Sequence, residues 1–74
     1  DKAEMIELIV PDKSKIVNIY LRDLNFPKGA IIGSIYRGED VFIPTGNDYI
    51  APNDRIIVFA LPEAIHKVEA FFAE

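Results

Sequence analysis

The chain has no cysteine, no tryptophan and one histidine. Disulfide frameworks, thiolate zinc sites and nucleophilic catalysis by a Cys–His pair are therefore excluded. A reducing compartment fits the missing cysteines. Basic residues are also scarce: eight Lys and Arg face twelve Asp and Glu, a net charge of −4. The cations are scattered rather than gathered into a stripe, which disfavours nucleic acid as a partner. Long apolar runs are missing too. Ala30–Tyr36 and Ile56–Leu61 are each strand-sized, far short of the roughly 18 residues that span a bilayer, so direct membrane insertion is not expected and the sequence reads as soluble. The opening Asp-Lys-Ala-Glu has neither an initiator Met nor the charged and apolar regions of a targeting peptide, and reads as the start of a piece of a longer protein.

Half of the 74 residues are apolar, enough for one small core and too much for a disordered segment. Seventeen are Ile or Val, whose stiff branched side chains favour a sheet over a helix. A domain of this size buries only about 60% of its unfolded surface, and nothing here supplies a covalent or metal staple. Oligomerisation is expected.

From Glu4 to Val10 the even positions Ile6, Leu8 and Val10 are apolar while Glu7 points the other way, the period-two pattern of a strand ended by Pro11 and Asp12. Leu21 and Leu24 are spaced for a helix face and predict a short helix near Tyr20–Leu24. Ser14 is expected to cap a separate turn at 15–17, with Asn18 in the left-handed region between the two. Phe26-Pro27-Lys28-Gly29 is turn chemistry, and Ala30–Arg37 reads as a central strand. Gly38-Glu39-Asp40 predicts a tight hairpin into a returning strand at Val41–Ile43. After the loop Pro44–Asp48 comes a short edge piece at Tyr49 and Ile50, then the turn Ala51-Pro52-Asn53-Asp54 and a last strand, Arg55–Ala60. Pro62 opens a helix on which Ile65, Val68, Phe71 and Phe72 form the apolar stripe and Glu63–Lys67 an i,i+4 pair. No repeat, linker or low-complexity tract interrupts this single domain.

Candidate chemistry is thin. Glu39, Asp40, Asp48 and Asp54 fall in expected turns, where carboxylates serve as solvated residues bonding their own backbone; a divalent-cation site is the alternative, without the alternating spacing of a calcium loop. His66 is expected to face solvent or an interface. Ser34 and Thr45 have no base at recognisable spacing, and the glycines form neither a dinucleotide fingerprint nor a phosphate-binding loop. The chain is not expected to be an enzyme. More informative are the doubly apolar strands around Ala30–Ile32 and Ile56–Ala60. A sheet covered by helices on one face should alternate, so the second face is expected to meet another subunit or a ligand, with cover of both faces by the chain's own helices as the alternative. Arg37, at the end of the central strand, could reach an anionic ligand bidentately or pair with Glu39 or Asp40.

The series Leu21-x-x-Leu24-Asn25-Phe26-Pro27-x-Gly29-Ala30-Ile31-Ile32, Ile35-x-Arg37-Gly38, Ile43-Pro44-x-Gly46, Ile50-x-Pro52-x-Asp54-Arg55-Ile56-Ile57-Val58-Phe59 and Val68-Glu69-x-Phe71-Phe72 resembles, in the same order, the TrkA C-terminal (RCK C-terminal) domain family. The resemblance covers about Glu4 to Phe72. Asn18 and Asn53 stand where the family favours Gly, a tolerable exchange because Asn enters the left-handed region readily.

The resemblance implies an α+β fold of β-α-β-β-β-α order, a mostly antiparallel sheet with helices on one face, pairing as a two-fold dimer. It also implies a regulatory, non-catalytic domain of a potassium transporter or channel system. That system would be cytoplasmic, on the inner face of the plasma membrane, with a membrane subunit as partner and NAD or ATP bound only by an upstream domain. In some relatives a cyclic dinucleotide, cyclic di-AMP, lies across the two-fold axis; carried over, the contacts are Arg37 for charge and Ile31, Ile32 and Pro52 for apolar packing. A pure dimerisation module, with sensing left to the upstream domain, is the alternative.

Overall fold

The computed structural model describes residues 2–74. Its β-branched runs form the strands β1 (Glu4–Ile9), β2 (Ala30–Arg37), β3 (Asp40–Phe42) and β4 (Arg55–Ala60). They make one sheet of order β1-β4-β2-β3, antiparallel throughout. The two most apolar strands, β2 and β4, are central, where both of their edges can be paired. The helix α1 (Ile65–Phe72) follows a 3-10 turn at Pro62–Ala64. Val68 and Phe72 bury its apolar stripe with Ala64, Val58, Ala60, Ile56, Ile35, Ile50 and Val10. Phe26, Phe71 and Phe72 close one side edge-to-face, with ring centroids 5.2–6.0 Å apart.

Several details differ from the sequence expectation. The segment at Tyr20–Leu24 is a single 3-10 turn, Leu21–Asp23, too short to bury a full helical face. The returning strand begins one residue early, at Asp40, because Gly38 (φ 60°) and Glu39 alone make the hairpin loop and Arg37 faces Asp40 across it. Ser14 caps nothing: its Oγ is buried without a hydrogen-bond partner, while its N–H donates to the Pro11 carbonyl. Glu63 and Lys67 form no ion pair, since the chain is still 3-10 at Glu63 and the two residues are out of α-helical register. His66 is almost fully exposed, with Nδ1 3.6 Å from Glu69.

Register sets what each face presents. A bulge between Ile32 and Ser34 shifts the parity of β2, so Ala30, Ile32 and Ile35 all point inward. The same register lays rows across the outer face: Met5–Phe59–Ile31, Glu7–Ile57–Ser34 and Ile9–Arg55–Tyr36–Val41. Within the bulge, a Cβ on Gly33 would lie 2.5 Å from the Phe59 ring, so the glycine is what lets that ring lie flat on the sheet.

The end of the sheet near the hairpin is closed by a buried carboxylate. Asp54 is 1% exposed, in contrast to the solvated turn residue expected. Its Oδ1 accepts from Arg37 Nε at 2.9 Å, and its Oδ2 accepts from Arg37 Nη2 at 2.7 Å and from the Ala51 N–H at 2.9 Å. The turn it closes has Pro52 at its first central position and Asn53 at φ 68°, the pattern of a type II turn. Val10 N–H donates to the Asp54 carbonyl and Asn53 N–H to the Val10 carbonyl, tying the end of β1 to the same turn. Arg37 thus pairs with Asp54 rather than with either neighbouring acid.

Two predictions follow from this end of the sheet. Replacing Arg37 with Gln strands a buried carboxylate and should cost about 3 kcal/mol in urea unfolding; a loss below 0.5 kcal/mol, on the order of one exposed ion pair, would show that the pair does not brace the fold. Asn53→Ala should cost about 1 kcal/mol and Asn53→Gly only a few tenths, because the cost comes from the positive φ; equal losses in thermal unfolding would contradict that cause.

Candidate functional site

β3 is only three residues long and pairs with Ile35–Arg37 alone. The first half of β2 therefore has a neighbour on the β4 side and none on the other, so alternate backbone N–H and C=O groups of residues 30–33 point to an unpaired edge. Chain elements approach that edge without pairing to it. The 3-10 turn comes from one side and the loop Pro44–Gly46 from the other, held together by Arg22 N–H to the Gly46 carbonyl at 3.1 Å and Leu21 N–H to the Asp48 carbonyl at 2.8 Å.

Between them lies an open groove of about 330 Å³. Leu21, Leu24 and Phe26 form one wall, Ala30, Ile31 and Ile32 the floor, and Pro44, Thr45 and Gly46 the other wall, with Arg22 at the mouth. The volume is at the small end of the range for ligand clefts, and the lining is mostly apolar with a few polar groups, as such clefts usually are. Arg22 is the one charged residue of the lining. Its Nη1 donates to Asn47 Oδ1, and its guanidinium stacks 4.5 Å from the centroid of the Tyr20 ring.

Of the residues the sequence singled out, Ile31 and Ile32 meet in this groove. Arg37 and Pro52 lie at the other end of the sheet; five residues of extended chain separate Ile32 from Arg37, about 16 Å along the strand. The Arg37 guanidinium is engaged by Asp54, donates from Nη2 to the Tyr49 carbonyl at 2.8 Å, and lies over the rings of Phe42 and Tyr49. Its pKa is raised above the ordinary arginine value, first by the hydrogen bonds to Asp54, against the desolvation of burial, and further by the charges of Asp54, Tyr49 and Asp48. Only Nη1 is without a hydrogen-bond partner among the described residues. Pro52 is exposed on its turn.

The turn carboxylates do not converge: among the described residues no three His, Asp or Glu side chains could share a metal ion. Asp48 is bound to its own loop, its Oδ2 accepting from the Thr45 N–H at 2.7 Å. Arg22 was missed from sequence because it sits in a short polar stretch with no motif, and only the approach of the 44–46 loop makes it part of a cleft. A second feature stands on the outer face, where Met5 (68% exposed), Ile31 (65%) and Phe59 (41%) form a continuous apolar row beside the groove. No helix among the described residues is long and apolar enough to cross a membrane.

The family model of the TrkA-C domain matches residues 5–73. The Trk system potassium uptake protein TrkA homolog 2 of Methanosarcina mazei is 44% identical over 72 residues, covering 97% of this chain and 16% of the relative. The TrkA homolog of Archaeoglobus fulgidus is 41% identical over 68 residues, covering 92% and 15%. The TrkA of Azorhizobium caulinodans is 38% identical over 70 residues, covering 95% and 15%. This chain thus spans about 16% of the length of the curated relatives it matches. Among solved structures, that of an RCK domain with cda superposes with a TM-score of 0.81 at 25% identity, over 93% of this chain and 97% of that one. Sequence, fold and topology agree, and the chain belongs to the TrkA-C domain family.

Proposed function

We propose that this chain is the regulatory, non-catalytic domain of a potassium transport or channel system, that it pairs with a second copy of itself, and that it binds a small anionic effector such as cyclic di-AMP. The observation that carries the reading is the groove on the unpaired edge of β2, floored by Ile31 and Ile32 and adjoining an exposed apolar sheet face. A ligand seated there touches both the edge of the sheet and whatever covers its outer face, so occupancy favours one packing of two copies over another. The TrkA relatives and the RCK domain solved with cda support the same reading. In the longer protein, NAD or ATP belongs to an upstream domain, and a membrane subunit at the cytoplasmic face receives the signal.

A specific observation also favours the plainer reading of a dimerisation module without a ligand: the cation expected to hold the effector, Arg37, is already engaged by Asp54. Thermal unfolding of the chain with cyclic di-AMP, ATP, NADH and calcium, each added separately, separates the two. At about 100 times its dissociation constant a ligand should stabilise by roughly 2.7 kcal/mol, raising Tm by about 10 °C or more. The expected result is a rise with cyclic di-AMP and none with NADH or calcium. A flat response to all four would leave dimerisation alone. Sedimentation equilibrium tests the pairing itself: the chain should be a dimer, and Met5→Lys, which charges the outer row, should shift it toward monomer while keeping its far-UV spectrum. A wild-type chain that is monomeric at 100 μM, on the order of a weak interface, would remove the second copy from the reading.

A further inference from the structure

The sheet has a second open edge, on the far side from the groove. β1 is the outermost strand of the order β1-β4-β2-β3, and among the described residues nothing pairs with its outer side. Parity fixes which backbone groups stand there. Val10 turns its N–H to the Asp54 carbonyl and its carbonyl to the Asn53 N–H, both on the β4 side, and the β1–β4 register runs without a shift from Glu4 to Ile9. The even residues of β1 therefore bond to β4, and the N–H and C=O groups of Met5, Glu7 and Ile9 point away from the sheet. The side chains along this edge are symmetric about Glu7. Ile6 and Leu8 flank it on the inner face, half-buried at the margin of the core, and Met5 and Ile9 flank it on the outer face, both exposed. Glu7 is the one charged residue between Met5 and Ile9, and Arg55 of β4 answers it, with Nε 3.0 Å from its carboxylate.

We infer that β1 is the edge on which two copies of this chain pair, strand to antiparallel strand, with the two-fold axis at Glu7. The inference rests on the pairing reading above and names the surface that serves it. A two-fold axis reverses the strand, so an edge that reads the same from both ends is complementary to another copy of itself. Axes at Ile6, Glu7 and Leu8 each bring the free N–H and C=O groups of the two strands face to face. The axis at Ile6 sets each Met5 against a glutamate, and the axis at Leu8 sets each Ile9 against one. The axis at Glu7 sets Met5 against the partner's Ile9 on the outer face and Ile6 against the partner's Leu8 on the inner face, and within β1 it forms the most hydrogen-bonded residue pairs. Its cost is two glutamates side by side. A bare charge at the centre of an edge strand blocks such pairing, but here each glutamate carries its own Arg55, so the charges across the axis are already answered within each copy. The pairing joins two four-stranded sheets into one and leaves each groove open at its own far edge.

Amide hydrogen exchange of the 74-residue chain, read residue by residue above and below the concentration at which sedimentation finds a dimer, tests this. The N–H groups of Met5, Glu7 and Ile9 should exchange slowly in the dimer and at the rate of exposed amides on dilution, whereas those of Ile6 and Leu8, bonded to β4, should stay protected throughout. Substitutions act on the same edge. Glu7→Pro removes an N–H that faces away from β4, which an edge strand tolerates. It should keep the far-UV spectrum and weaken the dimer about 10- to 100-fold, the loss of the two central hydrogen bonds. Arg55→Gln should weaken the dimer about 2- to 5-fold, the range for one exposed charge pair, and adding Glu7→Gln should restore it. If Glu7→Pro fails to fold, the exchange of the wild type decides. A wild-type dimer whose Met5, Glu7 and Ile9 amides exchange equally fast at every concentration overturns the inference and leaves the pairing reading standing. A wild type that is monomeric at about 100 μM, on the order of a weak interface, removes the pairing reading, and the inference falls with it.

Discussion

The carboxylate of Asp54 is the point on which this small sheet closes. Three N–H donors converge on it, two from Arg37 at the end of β2 and one from the turn that launches β4, while the backbone of the same residue takes the end of β1. Three of the four strands are therefore registered by one residue. A buried charge is tolerable only when it is paired and its lone pairs are filled, and both conditions are met here by groups from distant parts of the chain. The core proper is aliphatic and could slide; the carboxylate is directional and cannot. The Arg37 guanidinium lies over the rings of Phe42 and Tyr49 and so extends this grip to β3 and to the loop that carries the isolated bridge.

The opposite end of the sheet is built loosely, and that is where the groove and the exposed row Met5–Phe59–Ile31 lie. β3 stops after three residues, leaving the start of β2 with an open edge. The outer row Met5–Phe59–Ile31 is exposed, whereas Arg55 of the far row pairs with Glu7 of the middle row and lies over the Tyr36 ring. The hairpin end is thus fixed by polar contacts within the chain, although Ile9 and Val41 lie exposed there, and the other end adds an unpaired stretch of strand edge to its exposed apolar row. A regulatory domain needs this division: a rigid reference and a face whose packing can change.

Much of the fold was legible because it follows from periodicity and turn chemistry. β2 and β4 were bounded correctly from their unbroken apolar runs, and Asn18 and Asn53 take the left-handed conformation their type permits. What was not legible depends on the meeting of distant segments. Asp54 reads as one more turn acid until Arg37 is brought to it across 17 residues, and no local pattern marks a buried carboxylate. The bulge at Gly33 hides in the same way: the run Ala30–Ile35 is apolar at nearly every position, so its change of parity leaves no mark on the sequence. The site divides along the same line. Ile31 and Ile32 were expected to contact a ligand and lie in a groove, but the cation beside them is Arg22, supplied by a turn with no signature of its own.

The pairing of β1 with β4 joins residues 4–9 to residues 55–60, with β4 inserted between β1 and β2. During synthesis, then, the only part of the sheet that can assemble early is the β2–β3 hairpin. The first strand must wait, solvated and unpaired, until nearly the whole domain has left the ribosome. Its glutamates at positions 4 and 7 keep that waiting segment charged, which opposes its association with other nascent chains. In a longer protein assembled domain by domain, a unit of this topology folds late and nearly all at once, so its groove and its apolar face come into existence together.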